Sequence, residues 1–198
     1  HFLQLRPGTD VLLLNAMMHV IINENLHNKK FIDEHTNGFE EIIETIENYS
    51  PEKVSPICGI EVNVIKEVAR LYATSESSII FWGMGISQHI YGTDNARCLI
   101  SLALMTGQIG RESTGLHPLR GQNNVQGASD VGLIPMVYPD YQPVTDSMVR
   151  EKFEKLWGKE LDPNDGKTIV EIMHAIYNKD INGLYIMGEN PAMSDPNL

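Results

Sequence analysis

The residues best suited to chemistry lie together between Pro118 and Ala128, in the run Pro-Leu-Arg-Gly-Gln-Asn-Asn-Val-Gln-Gly-Ala. Four amides (Gln122, Asn123, Asn124 and Gln126) follow Arg120 within seven residues. Side-chain amides offer donors and acceptors side by side, which suits a ligand rich in ring nitrogens and carbonyls. Arg120 offers a planar, permanently charged fork that matches a carboxylate. Gly121 and Gly127 let a ligand approach the backbone closely. A plain Asn-rich surface loop normally mixes in Ser, Asp and Lys. This run has none of them before Ser129.

Two other places combine glycine with polar groups. Trp82-Gly83-Met84-Gly85-Ile86-Ser87-Gln88 follows the apolar run Ser78–Trp82, and Met187-Gly188-Glu189-Asn190-Pro191 follows Leu184–Met187. In open α/β sheets, ligands bind beyond the carboxyl ends of the strands. Met84, Gly85, Gln88, Gly188, Glu189 and Asn190 are therefore candidate ligand contacts, with Glu189 placed to accept hydrogen bonds from the amino group of a base. Spacing alone leaves a second reading open, that of ordinary strand-to-helix turns, since neither run is a Walker or Gly-x-Gly-x-x-Gly fingerprint. The histidines form no metal-binding pair on one helix, and no Ser-His-Asp set can be inferred. Cys58 and Cys98 are too far apart for a Cys-x-x-Cys site and make no disulfide framework; two reduced thiols fit a cytoplasmic location. Met17, Met18, Met84, Met105, Met173 and Met187 read more readily as core than as ligands, and the acidic residues of 33–52 as a solvated face.

Helices and short strands must position these groups. Residues 11–26, apolar as far as Ile22, predict a helix buried on most sides and capped by Thr9 or Asp10. Two short polar helices are expected over 28–36 and 39–48. Ser50-Pro51-Glu52 starts another, with Pro at the first helical position. Val64, Ile65, Val68, Ala69, Leu71 and Tyr72 fall at helical spacing. The runs 78–82 and 184–187 predict buried strands ending in glycine turns. Thr93 or Asp94 opens an Ala/Leu-rich helix that stops at Gly107. Residues 107–147 are glycine-rich and show little periodicity, and a stretch that long without regular structure is usually functional. Helices return near 149–157 and 168–178. The alternation implies an α/β fold, with helices around short, mostly parallel sheets. We divide it into an α/β segment over 1–116 and a segment over 117–198 that holds the amide-rich loop and part of a second α/β subdomain.

Composition sets outer limits. A net charge of −11 disfavours non-specific nucleic-acid binding, which rewards clustered Lys and Arg. The 42% hydrophobic and 21% charged content is that of a globular chain. Val11–Ile22 is too short for a membrane span and is broken by Asn15 and His19. The start at His1 and the stop after Met-Gly-Glu-Asn-Pro lead us to expect a fragment.

These residues resemble a known family. The run His117–Asp130 is similar to the signature of catalytic subunits of molybdenum- or tungsten-dependent formate dehydrogenases. Leu5–Asp10 with Asn15-Ala16-Met17, Trp82–Gly85, Thr106-Gly107-x-x-Gly110, Tyr138-Pro139-x-Tyr141 and Tyr185–Pro191 resemble it in the same order. The likeness covers essentially the whole chain, and related nitrate reductases carry a similar amide-rich loop without this Arg.

The resemblance implies a cofactor of two molybdopterin guanine dinucleotides whose dithiolene sulfurs hold Mo or W, soft ligands that suit such metals. It places Gly8 and Asp10 on one guanine dinucleotide. It places Met84, Gly85 and Gln88 along a pterin or its phosphates, and Gly188, Glu189 and Asn190 on the other nucleotide. The family usually has Asp at the position of Asn190, so a charged contact is not carried over there. Arg120 would hold formate beside the metal, with Gly121 and Gln122 at the pterin. The metal-ligating Cys or selenocysteine with its neighbouring His, and the iron–sulfur cluster segment, would lie upstream of His1. Another cofactor-binding domain would lie beyond Leu198. Formate and an electron-transfer subunit are the implied partners, with no nucleic acid and no membrane segment. The fragment alone would be inactive. The alternatives are a sister oxidoreductase of the nitrate reductase or formylmethanofuran dehydrogenase type, and a non-catalytic cofactor-binding module.

Overall fold

Apolar residues on nearly every side of one helix dictate how the first half of the chain folds. A computed structural model describes residues 2–194; His1 and 195–198, the outer ends of the two expected segments, lie outside them. Helix α1, Asp10–Asn23, buries Leu13, Asn15, Ala16, Met17, Met18, Val20 and Ile21. Such a helix must be surrounded, and α3 (Phe39–Ile46), α4 (Pro51–Cys58), α5 (Val62–Thr74) and α7 (Gly92–Thr106) pack around it. Thr9 takes the N-cap position of α1, but its hydroxyl donates to the Arg6 carbonyl, 2.6 Å away, and does not cap a helical N–H. The short α2, Lys29–His35, is capped by the Asn28 side chain, which accepts from the Phe31 N–H at 3.1 Å. Ile21, Ile65, Met105 and Cys58 are fully buried at the centre of this packing. Of the methionines expected in the core, the structure buries Met17, Met18 and Met105 but leaves Met84, Met173 and Met187 exposed.

Strand β1, Ile79–Trp82, leaves this helical body and pairs in parallel with β2, Gly115–Pro118, so that Ile79 faces Gly115 and Trp82 faces Pro118. The connection runs through the single turn α6, Met84–Ser87, and then α7. Gly107 ends α7 in the left-handed region (φ 66°), where a Cβ would come within 2.8 Å of Asn28 Nδ2. Gln108, 1% exposed, fixes the entry to β1. Its amide donates to the Ser75 carbonyl, and its carbonyl oxygen accepts from the Ser78 N–H and from Arg111, each at 2.9 Å. β2 falls inside the stretch expected to be irregular.

The described residues divide into two compact units between Gly121 and Gln122, where the sequence reading sets the boundary at 116/117. The second unit holds α8 (Val125–Asp130), the antiparallel pair β3 (Val137–Tyr138) and β4 (Gln142–Pro143), α9 (Ser147–Trp157), α10 (Ile169–Tyr177) and the single turn α11 (Pro191–Ser194). Its small core stacks Tyr138 on Phe153 with ring centroids 4.7 Å apart. A capping box starts α10: Thr168 bonds the Glu171 N–H and the Glu171 carboxylate returns to the Thr168 N–H at 2.7 Å.

One expected strand is absent. Leu184–Met187 is irregular, with Tyr185 89% and Met187 79% exposed. A strand exists only where a neighbour completes its hydrogen-bond ladder, and among the described residues none pairs with this run. The α/β class holds, with its parallel sheet in the first unit. No helix among the described residues is long and apolar enough to cross a membrane.

Candidate functional site

Parallel pairing places the carboxyl ends of β1 and β2 at one edge, so two segments distant in sequence meet there. β1 ends at Trp82 and turns through Gly83 into α6, which carries Met84 and Gly85 and is closed by Gln88. β2 ends at Pro118 and runs on through Leu119 to Arg120 and Gly121. The Leu119 N–H donates to the Trp82 carbonyl at 2.6 Å, extending the ladder past the last strand residue. A Cβ on Gly121 would come within 2.9 Å of Met84 Cε. Met84, Gly85, Arg120 and Gly121 thus form one group at the strand ends.

Arg120 differs from its counterparts. Arg6 donates to the Pro56 and Ile57 carbonyls, Arg70 grips Glu24, Arg97 pairs with Asp94, Arg111 holds Gly107 and Gln108, and Arg150 lies 3.9 Å from Glu154. Among the described residues Arg120 alone of the arginines has no side-chain hydrogen bond or ion pair, and it is exposed. A permanently charged fork that no carboxylate of the described residues engages is available to an anion.

The turn beside it is firmly held. His89 Nε2 lies 2.7 Å from the Gly85 carbonyl; an oxygen only accepts, so Nε2 carries the proton. Asn95 Nδ2 donates to the Ile86 carbonyl at 2.9 Å. The position a Cβ would take on Gly85 has no atom within 4 Å, and the backbone there is not left-handed. Packing within the chain therefore gives no reason for glycine at 85, whereas close approach of a ligand does. Gly8, left-handed at φ 81°, and Asp10 line a cleft of about 130 Å³ with His89, Ile90, Tyr91 and Asn95. This brings Gly8 and Asp10 beside the segment that follows Gln88. The cleft is smaller than a nucleotide site, roughly 300–1,000 Å³, so these residues line only part of one.

The other candidates belong to the second unit. Gln122 opens it. Gly188 is left-handed at φ 75° with open space around it. Glu189 accepts from the Ser194 hydroxyl at 3.2 Å, and the Asn190 carbonyl receives the Met193 and Ser194 N–H groups that begin α11. These groups leave most of the Glu189 carboxylate and the Asn190 amide free for a ligand.

No group of three or more His, Cys, Asp and Glu able to hold a metal occurs among the described residues. Burial, with Asp94 adding to it, pushes the Cys98 thiol up to about 11, so it stays protonated near neutrality and is a poor metal ligand. Cys58 is buried. Within the first unit, the open glycine backbone at 85, the guanidinium of Arg120 and the amide of Gln88 are donors suited to a polar, anionic ligand. Sequence reasoning missed His89, Asn95 and Gln108. The only signal for Asn95 or Gln108 was an amide within or beside an otherwise apolar helix.

Comparison with known proteins identifies the family. The molybdopterin oxidoreductase family profile matches residues 1–198. The chain is 49% identical over 197 residues to an F420-dependent formate dehydrogenase subunit alpha of Methanocaldococcus jannaschii, covering 100% of the chain and 29% of that protein. It is 46% identical over 195 residues to formate dehydrogenase H of Escherichia coli, covering 98% of the chain and 27% of the relative. The chain thus spans under a third of these curated relatives. Among solved structures, acetylene hydratase from Pelobacter acetylenicus superposes with a TM-score of 0.52 at 33% identity, over 55% of this chain and 15% of that one.

Proposed function

The chain belongs to the molybdopterin oxidoreductase family, and on that premise we propose that it is part of the catalytic subunit of a formate dehydrogenase, which oxidises formate to carbon dioxide, a proton and two electrons. Family membership implies a molybdopterin cofactor. The finer assignment, two guanine dinucleotides holding Mo or W, follows the positions described above. Gly8 and Asp10 serve one nucleotide, Met84, Gly85, Gln88, Gly121 and Gln122 the pterin side, and Gly188, Glu189 and Asn190 the other nucleotide. An iron–sulfur cluster elsewhere in the subunit, an electron-transfer subunit and a cytoplasmic location complete the proposal.

The observation that carries it is Arg120, without a side-chain partner among the described residues, on the segment that leaves β2 where β1 leads into Met84 and Gly85. Formate is a carboxylate of three heavy atoms, with little surface for specificity. Two parallel N–H···O bonds from Arg120 hold both oxygens and leave the C–H pointing away from the arginine. The bound cofactor supplies the two-electron chemistry. Arg120 contributes orientation and charge neutralisation, which act by positioning and electrostatics.

A hydration reaction, suggested by the name of the similar solved structure, acts on a neutral hydrocarbon and has no use for a carboxylate fork. The full-length subunit, purified with its cofactor and given a dye as electron acceptor, separates the two. The proposal expects formate-dependent dye reduction and no consumption of acetylene. A preparation loaded with metal and pterin that leaves formate untouched overturns it.

A further inference from the structure

The turn that carries Met84, Gly85 and Gln88 cannot hold its own shape. A single helical turn leaves the carbonyls after its first residue without helical donors. Side chains from outside the turn supply them: His89 for Gly85, and Asn95 for Ile86 at 2.9 Å. The two differ in setting. His89 is exposed, whereas Asn95, in the first turn of α7, is 2% exposed. The bond is partly buried, so losing Asn95 would leave the Ile86 carbonyl with a desolvation cost that water only partly offsets. Close approach of α7 is permitted by Gly92, where a Cβ would overlap the Ser87 carbonyl oxygen. Asn95 also lines the cleft that contains Gly8 and Asp10. One buried amide therefore touches the 83–88 turn and borders the 8–10 segment.

We propose that Asn95 is a positioning residue: through the Ile86 carbonyl it sets where the 83–88 backbone meets the molybdopterin cofactor, and it holds that turn in register with Gly8 and Asp10. The inference rests on the reading of this turn as a cofactor surface. It assigns Asn95 no contact with the cofactor. Open glycine backbone gives a ligand contacts only if the backbone stays in place, and nothing on the outer side of Gly85 holds it there.

The test uses the full-length subunit. Asn95→Asp preserves shape and replaces the amide donor by an acid. When protonated, the acid can donate to the Ile86 carbonyl; when ionised, it repels it. Asn95→Ser is neutral and too short to reach. Asp10 and His89 line the same cleft, and Asp94 and Arg97 flank Asn95 on α7. The parent at each pH is therefore the reference. The readout is pterin retained after gel filtration, measured by fluorescence after oxidation. At pH 8 both variants should retain at least fivefold less pterin than the parent. Burial at this position holds an introduced carboxyl above the ordinary aspartate value of about 3.9, so at pH 5 Asn95→Asp should recover part of the parental content, while Asn95→Ser should not.

Parental pterin content in both variants at pH 8 overturns the inference. So does an equal loss in Asn95→Asp at both pH values, which a merely structural role predicts. If Asn95→Asp aggregates, Asn95→Ser decides, with a fivefold loss in a monodisperse protein as support and parental content as refutation. Gly85→Leu run in parallel separates this inference from its premise. If Gly85→Leu keeps its pterin, the turn is not a cofactor surface, and Asn95 has nothing to position. If Gly85→Leu loses pterin while the Asn95 variants keep it, the positioning inference alone fails.

Discussion

Gly85→Ala separates a structural glycine from a ligand-facing one. Gly85 lies within α6, its φ is not positive, and a Cβ built there meets no atom within 4 Å. Alanine in a helix is favoured over glycine by about 0.5–1 kcal/mol. The cofactor-free subunit should therefore be slightly more stable as Gly85→Ala, by up to about 1 kcal/mol in urea unfolding. The loaded form should behave oppositely. A methyl group forced into a close backbone–ligand contact resembles overpacking, at roughly 1–3 kcal/mol, or about a five- to hundredfold loss of cofactor affinity. Gly8→Ala is the control. Its φ of 81° is left-handed, so that substitution should destabilise the cofactor-free subunit by roughly 1–2 kcal/mol. The assay pairs urea unfolding without cofactor with pterin content after purification. If Gly85→Ala retains the full pterin complement, or is less stable than the parent without cofactor, the reasoning about this turn is wrong.

Other expectations concern the frame around the site. Gln108→Leu strands the Ser75 carbonyl and Ser78 N–H at the entrance to β1, and should lower stability by about 2 kcal/mol or more; an unchanged urea midpoint would contradict this. Cys98, with its thiol pushed up to about 11, should react with iodoacetamide at pH 8 roughly two orders of magnitude more slowly than a free cysteine near 8.5. Mass spectrometry of the peptide carrying it would show the opposite if labelling kept pace with a model thiol. The Thr168 backbone N–H, and then its hydroxyl, hold the Glu171 carboxyl below the usual glutamate range. This stabilisation is complete above the ordinary range and is lost as pH falls through the lowered value. The Glu171 carboxyl signal in an NMR titration should accordingly shift at lower pH than an unrestrained glutamate, and move only part of the way back in Thr168→Ala, which keeps the backbone N–H.

Helices were legible because their signals are local. The apolar stripe of α1, Ser50-Pro51 at the start of α4 and Gly107 after α7 can each be read within a few residues. β1 was legible for the same reason, as a short apolar run ended by glycine, but its expected burial was not, since Ile79 and Phe81 are exposed. β2 was not: Gly115-Leu116-His117-Pro118 has no alternation and contains two residues that disfavour strands, and it is a strand only because β1 lies beside it. Leu184–Met187 shows the reverse, an apolar run that has the composition of a strand but no neighbour. The chemistry proposed for Arg120 rests on its residue type and company. Its freedom was not legible, because that depends on where every other arginine found a partner. His89 and Asn95 acquire their roles only when the turn folds back between them.

The central claim is that Arg120 holds the substrate carboxylate. Charge-assisted hydrogen bonds contribute roughly 1.5–3 kcal/mol each, and about 1.4 kcal/mol is a tenfold change in rate. The most direct measurement compares formate kcat/KM and metal per subunit for the full-length enzyme, Arg120→Ala and Arg120→Lys. The account predicts near-normal metal in both variants and a loss of formate turnover of about two orders of magnitude or more in Arg120→Ala. Arg120→Lys should also be markedly impaired, because lysine keeps the charge but not the fork. Retention of both metal and formate rate in Arg120→Ala would contradict the substrate assignment, and loss of metal would make Arg120 a cofactor residue instead.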